Sequence, residues 1–361
     1  MHSNRDLITI DNMLPGTVSI RRMAPARWRV GQRHSGHYEH HQAATWLRIN
    51  NPGTPRTVEI EIRWAEFDTM SYRRFAYLKH GRTHRPVSGT IKPTATAFRV
   101  PLPTGESFFG PAPWYSIEDG ARWTERVRRT VAGARLDTIG TTLEGRPIRV
   151  LRLDAAPHQP GRPNVVVLTR EHAVETAGSF ALEEVVRFLT ETPEGRRRLR
   201  QFVFHLLPAA NPDGVANGRK LPQEAPKEVS DLHYAGMASN DPTCRAVREW
   251  MFALKPACLI NLHGYLFPVP QIIFYDRADG MAMLDQLFQR KSDRETPGWY
   301  ARWQVAENKT MLHYCVRKFG TVLGLFELPW TGQTVPQAQA LGLQMFQSVL
   351  AAHDRRRKGQ A

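Results

Sequence analysis

Apolar and polar residues alternate with a period of two along Arg56-Thr57-Val58-Glu59-Ile60-Glu61-Ile62-Arg63-Trp64, the pattern of a half-buried strand. Ala43 to Ile49 and Ala97 to Pro101 predict shorter strands of the same kind. Asn51-Pro52-Gly53 and the stretch Lys79 to Arg85 supply turn chemistry between them. No helical period intervenes, so residues 1–110 are expected to form a small antiparallel β-sandwich, with Trp28, Trp46 and Trp64 in its core.

The pattern changes at Phe108-Phe109-Gly110-Pro111-Ala112-Pro113. Ser116 to Ala132 has helical spacing, with Ser116 as N-cap and Asp119 three residues on as half of a capping box. Beyond it strands and helices alternate. Strands are predicted over Ile148–Leu153, Asn164–Thr169, Phe202–Leu207, Ala257–Leu262, Gln271–Tyr275 and Thr321–Phe326. Helices are predicted over Ser179–Thr190, Thr243–Ala253 and Val335–His353. Val165-Val166-Val167-Leu168 is apolar throughout, as suits a strand covered on both faces. Residues 111–361 are thus expected to form an α/β domain whose mixed, mostly parallel sheet is flanked by helices.

Composition narrows the functional classes. In 361 residues, 41% are hydrophobic and 23% charged, an ordinary globular balance. The net charge is +15, but its arginines are scattered and no nucleic-acid-binding motif accompanies them, so no specific nucleic-acid partner is expected. Cys244, Cys258 and Cys315 lack CxxC partners, which suits buried thiols in a reducing compartment. Met1 to Gly16 has no signal-like apolar run and no stretch is long enough to span a membrane, so a cytoplasmic protein is expected. Arg355 to Lys358 reads as a solvated tail. Arg33 to His41 is His-rich but lacks the spacing of a closed metal site and reads as an exposed loop.

Three polar clusters follow apolar strands directly: His172 and Glu175, then His263, then Glu327. Open α/β sheets gather their ligand crevice at the carboxyl ends of the strands, so these distant residues can meet. Two imidazoles and a carboxylate suit zinc and leave one position for water or substrate. Zinc lowers the pKa of water to about 7, and a nearby carboxylate that is not a ligand can take the proton. Each element alone has an ordinary structural reading, as a helix start, a core histidine or a strand-end carboxylate. The joint pattern assigns His172, Glu175 and His263 as ligands and Glu327 as general base.

The order of motifs resembles the zinc carboxypeptidases, above all their cytosolic carboxypeptidase-like branch. Gly140-Thr141-Thr142-Leu143-Glu144-Gly145-Arg146 resembles that family's G-x-S-x-E-G-R hairpin. Glu171-His172-Ala173-Val174-Glu175-Thr176 resembles Q-H-P-G-E-T, and Asn211-Pro212-Asp213-Gly214-Val215 matches N-P-D-G-V. Asn261-Leu262-His263-Gly264 resembles D-L-H-G, and Leu325-Phe326-Glu327-Leu328-Pro329 resembles T-L-E-M-P. The β-rich start resembles the extra sandwich of that branch, and Pro113-Trp114-Tyr115-Ser116 its domain junction P-Y-T-Y. The resemblance implies one zinc ion per chain and a peptide or an amide-containing small molecule as substrate. It implies that Arg219, with Lys220 as the adjacent alternative, steadies the carbonyl oxyanion.

Two departures stand out. Where the family has D-L-N-R, whose Asn and Arg grip a terminal carboxylate, this chain has Asp231-Leu232-His233-Tyr234. The bidentate fork is missing. His233, Tyr234 and Arg245 become the candidate substrate contacts, and an atypical substrate is expected. Val174 replaces the family's glycine. The competing reading is an inactive binding module for acidic peptide tails, and retention of Glu327 argues against it. The sequence leaves the oligomeric state open.

Overall fold

A computed structural model of the chain describes residues 7–13, 18–32, 45–64, 74–156, 159, 161–217, 237, 239–265, 270–287, 300–303, 310–329 and 332–359. The period-two pattern becomes β5 (Arg56–Arg63), which buries Val58, Ile60 and Ile62 on one face. With it come β1 (Thr9–Asn12), β2 (Val18–Ala24), β3 (Arg27–Gln32), β4 (Leu47–Asn51), β6 (Phe75–His80), β7 (Thr83–Lys92), β8 (Ala95–Leu102) and β9 (Gly105–Gly110).

These strands hydrogen-bond in the order β1-β4-β9-β6-β7-β8-β5-β3-β2. Strand β7 makes the fold a sandwich. Its first half, Thr83 to Ser88, pairs with β6, and its second half, Gly89 to Lys92, with β8. A Cβ on Gly89 would lie 2.4 Å from Thr96 Cγ2 and 2.6 Å from Phe98 Cε1, so the crossing strand needs glycine there. Between the two halves lie Trp28, Val30, Leu47, Ile49, Ile60, Leu78, Phe98 and Phe109. The expected antiparallel pairing holds with one exception: β3 and β5 run parallel. The chain leaves β3 for β4 in the other half and returns along β5, so the two neighbours enter from the same end. Trp28, Trp46 and Trp64 are buried as expected.

Helix α1 (Ile117–Thr130) starts at the predicted cap. Ser116 Oγ accepts from Asp119 N, and Asp119 accepts from Ser116 N in return. Such a box contributes about 1 kcal/mol. A second sheet follows: β10 (Ala134–Thr141), β11 (Pro147–Leu153), β12 (Asn164–Thr169), β13 (Val203–Leu207), β14 (Cys258–Tyr265), β15 (Gln271–Phe274), β16 (Tyr300–Trp303) and β17 (Val322–Pro329). Its order is β10-β11-β13-β12-β14-β17-β15-β16, with β13, β12, β14 and β17 parallel to one another.

Both faces of this sheet are covered, which explains the unbroken apolar runs. On one face Val165, Val167, Ile260 and Phe326 pack with α2 (Ala177–Glu191) and α8 (Val335–Arg357). On the other, Val166, Leu168, Leu259 and Leu325 pack with α5 (Pro242–Leu254) and α7 (Met311–Phe319). Helices α3 (Pro193–Gln201), α4 (Pro212–Asn217) and α6 (Arg277–Leu287) complete the described elements. The expected C-terminal tail is instead the last turn of α8. Arg355 pairs with Asp285 at 3.0 Å, and Arg356 pairs with the buried Asp279.

Candidate metal centre

Four parallel strands end on the same side, and the candidate ligands lie at those ends. Strand β12 stops at Thr169, and Arg170 turns the chain with φ 56°, a backbone state uncommon for a residue with a Cβ. The next residues, Glu171 to Thr176, cross the strand ends before α2 begins. Gly178 lets α2 settle there, since a Cβ would meet Leu262 O at 2.7 Å. His263 comes from the far end of β14, and Glu327 is its register partner on β17. Registered neighbours on parallel strands project to the same face of the sheet.

His172, Glu175 and His263 converge, with one ligand atom from each lying within 4.8 Å of the others. His172 Nδ1 stands 2.8 Å from Glu175 Oε1 and 3.1 Å from His263 Nδ1, and His263 Nδ1 is 3.2 Å from Glu175 Oε2. Bonds of about 2.05 Å in a tetrahedral arrangement would set donor atoms ~3.3 Å apart, so this donor set fits a zinc ion closely. Gly264 N donates to Glu175 Oε2 at 3.0 Å and helps hold the carboxylate in place. The side chains of Glu175 and His263 are 2% and 3% exposed, against 12% for His172, so the cluster opens on the His172 side.

Electrostatics follow from that burial. Desolvation alone would raise the Glu175 carboxyl, but the two imidazoles outweigh it and hold its pKa below the usual carboxylate range. Burial likewise opposes charge on His263, yet Glu171 and Glu175 push its pKa well above that of a free imidazole.

Glu171 is a residue whose role the sequence left unassigned. Its Oε2 accepts from Asn261 Nδ2 at 2.8 Å and lies 3.3 Å from His263 Nε2. A carboxylate on the far nitrogen of a ligating histidine fixes the ring's tautomer and direction. Its place beside His172 in the motif, and Asn261 two residues before His263, were the available signals.

The motifs that flank the centre interlock. Asp213 accepts from Thr142 Oγ1 at 2.7 Å, Glu144 N at 3.2 Å and Arg146 Nη1 at 2.7 Å. The Asn-Pro-Asp-Gly loop is thus tied to the β10–β11 hairpin. Asn211 Oδ1 closes that loop by accepting from Gly214 N at 2.9 Å.

Val174 belongs to a different environment from its neighbours. It is buried among the core residues of the N-terminal sandwich. The junction after β9 is anchored as well. Trp46 Nε1 donates to Ala112 O at 3.1 Å, Tyr115 Oη donates to Glu183 Oε1 at 2.7 Å, and Arg170 donates to Tyr115 O at 3.1 Å.

Of the remaining candidates, Arg245 lies exposed on the first turn of α5. Arg219, Lys220, His233 and Tyr234 lie outside the described residues, as do His34 to His41.

Residues 121–231, which carry both His172 and Glu175, match the zinc carboxypeptidase family. This stretch is similar to a zinc carboxypeptidase domain. His263 and Glu327 lie beyond the match, and the pairing of β14 with β12 and of β17 with β14 brings them beside it. Human cytosolic carboxypeptidase 4 is 25% identical over 146 residues, and mouse carboxypeptidase D 36% over 174. Each match covers 36% of this chain but only 13% of the relative's length.

Solved structures extend the likeness in fold to the whole molecule. A metallo-carboxypeptidase from Burkholderia cenocepacia superposes with a TM-score of 0.79 at 19% identity, covering 97% of this chain and 99% of that one. The Pseudomonas aeruginosa metallo-carboxypeptidase, solved in complex with (2-guanidinoethylmercapto)succinic acid, gives 0.76 at 18% identity, covering 95% and 98%. Over nearly its whole length, therefore, this chain shares its fold with both metallo-carboxypeptidases.

Proposed function

We propose that the chain is a zinc-dependent hydrolase that cleaves a peptide or amide C–N bond. The observation that carries this reading is the convergence of two imidazoles and one carboxylate at the ends of β12 and β14. His172, Glu175 and His263 hold the ion. A bound zinc ion supplies Lewis acidity and an acidified water. Glu171 orients His263. Glu327, half-buried on the next strand, takes the proton from the attacking water and returns it to the leaving amine.

The substrate side rests on sequence. His233 and Tyr234 stand where the family grips a terminal carboxylate, so the substrate differs from a plain peptide C-terminus. Arg219 is assigned to the oxyanion. The cytosolic carboxypeptidase relatives and three buried free cysteines support a cytoplasmic setting. No helix among the described residues is long and apolar enough to cross a membrane.

Metal analysis tests the centre. The purified chain should carry about one zinc, as a single three-ligand site implies. His263→Ala should lose most of it while circular dichroism stays unchanged, and normal zinc in that variant would dismiss the ligand set. Glu327→Gln should keep the zinc and lower kcat by at least ~100-fold, the usual worth of a general base. Turnover is best sought with peptides bearing free or blocked C-termini, alongside N-acyl amino acids.

A further inference from the structure

Behind the metal loop lies a cavity of about 290 Å³ that the proposed hydrolytic chemistry does not use. Helix α1, the β10–β11 hairpin and the Pro208–Val215 segment form its walls. Most of the lining is apolar, including Ile117, Ala121, Pro147, Pro212 and Val215. None of the three proposed ligands lines it.

Arg170 also lines this cavity. It stands at the turn between β12 and the metal loop and is only 4% exposed. Nε donates to Ala173 O at 2.7 Å, and Nη1 donates to Tyr115 O at 3.1 Å and Ser179 Oγ at 3.2 Å. All three acceptors are neutral, and Nη2 takes part in none of these bonds. A guanidinium so deeply buried ordinarily faces a carboxylate or phosphate; the charges of Glu175 and Asp119 reach Arg170 through space, and the bonds above go to neither. The two other arginines of the lining, Arg146 and Arg149, add to the positive potential, and the exposed Glu118 is the lining's one carboxylate against three arginines. Arg146 is already matched by Glu144 and Asp213, which leaves Arg170 as the group best placed to take an anion.

We propose that this cavity is a second ligand site, and that it binds a small monocarboxylate with an apolar body. The carboxylate accepts from Arg170, and the apolar part fills the space against Ile117, Ala121 and Val215. The volume stands at the lower edge of the range for small-molecule pockets, so the body is a single ring or a short branched chain.

Phenylacetate is a suitable probe, titrated calorimetrically into the full-length chain, with benzyl alcohol as its uncharged counterpart. Because a carboxylate could also approach the proposed zinc centre, two variants separate the sites. Ala121→Phe fills the cavity from an exposed helical position and leaves the metal loop untouched. His263→Ala removes a ligand and leaves the cavity intact. The expected result is saturable binding of phenylacetate but not of benzyl alcohol, retained in His263→Ala and weakened at least tenfold in Ala121→Phe. Arg170→Met should weaken it as much, and the Ala121→Phe result stands even if Arg170→Met does not fold. Absence of binding up to ~10 mM, the weakest range worth assigning, would overturn the proposal. So would binding that survives Ala121→Phe or vanishes in His263→Ala, and neither of those depends on the zinc reading being right.

Discussion

Glu171 stands next to one proposed ligand in sequence and behind another in space. Its carboxylate contacts Nε2 of His263, whose Nδ1 faces the cluster, and Asn261 fixes that carboxylate from the side. If it orients the ring, Glu171→Ala should weaken zinc binding by about 10–100-fold, the usual effect of losing such a partner. Competition with a chromophoric chelator measures this, and an unchanged affinity would reduce Glu171 to a packing residue. Glu171→Gln should recover part of the affinity, since an amide oxygen can still accept from the ring. The ligands themselves were readable because a short His-x-x-Glu spacing follows an apolar strand. Glu171 was not, because its purpose depends on which way a buried ring on another strand points.

At the scale of elements, β13 carries a titratable group inside the sheet. His205 is paired in register with Arg152 on β11 and Val166 on β12, and its Nε2 meets Asn164 Oδ1 at 3.0 Å. Burial, reinforced by the Arg152 charge, depresses its pKa to about 4. The unfolded chain binds this proton near pH 6.5, so it takes up protons before the folded one does. The stabilisation is complete above about pH 6.5 and is lost as pH falls toward 4, by roughly 3 kcal/mol for a shift of about 2.5 units. Urea unfolding at several pH values should show this slope, and His205→Gln should flatten it.

Which elements the sequence disclosed follows from how they are buried. The covered strands β12, β14 and β17 were plain as apolar runs, and α1 was plain from its cap. Helix α6 was not, because Gly280 interrupts its pattern at the point where it packs on Phe274. Edge strands such as β2 escaped as well, since one face pairs while most side chains lie in solvent. The parallel β3–β5 pair could not be read at all, because it depends on a crossover between the two halves of the sandwich.

For the whole molecule, the notable contact is Val174. A position beside two proposed ligands is packed into the core of the N-terminal sandwich. The sandwich also reaches the segment after β17, where the backbone of Gly332 and Gln333 hydrogen-bonds to Tyr77. Val174 and the Gly332–Gln333 segment are thus braced by the same unit. Val174→Gly should cost about 2 kcal/mol through lost burial and added chain freedom. It should also speed zinc release, read by transfer to a chelator, whereas a cavity made elsewhere in the sandwich, such as Val30→Ala, should lower stability with less effect on release.

The valine therefore turns the front module into a clamp on the rear one. A fragment trimmed to residues 111–361 would present an oily side chain to water and leave the proposed metal loop without a backstop. Heating or solvent that melts the β-rich half should strip the ion from the α/β half before that half itself unfolds.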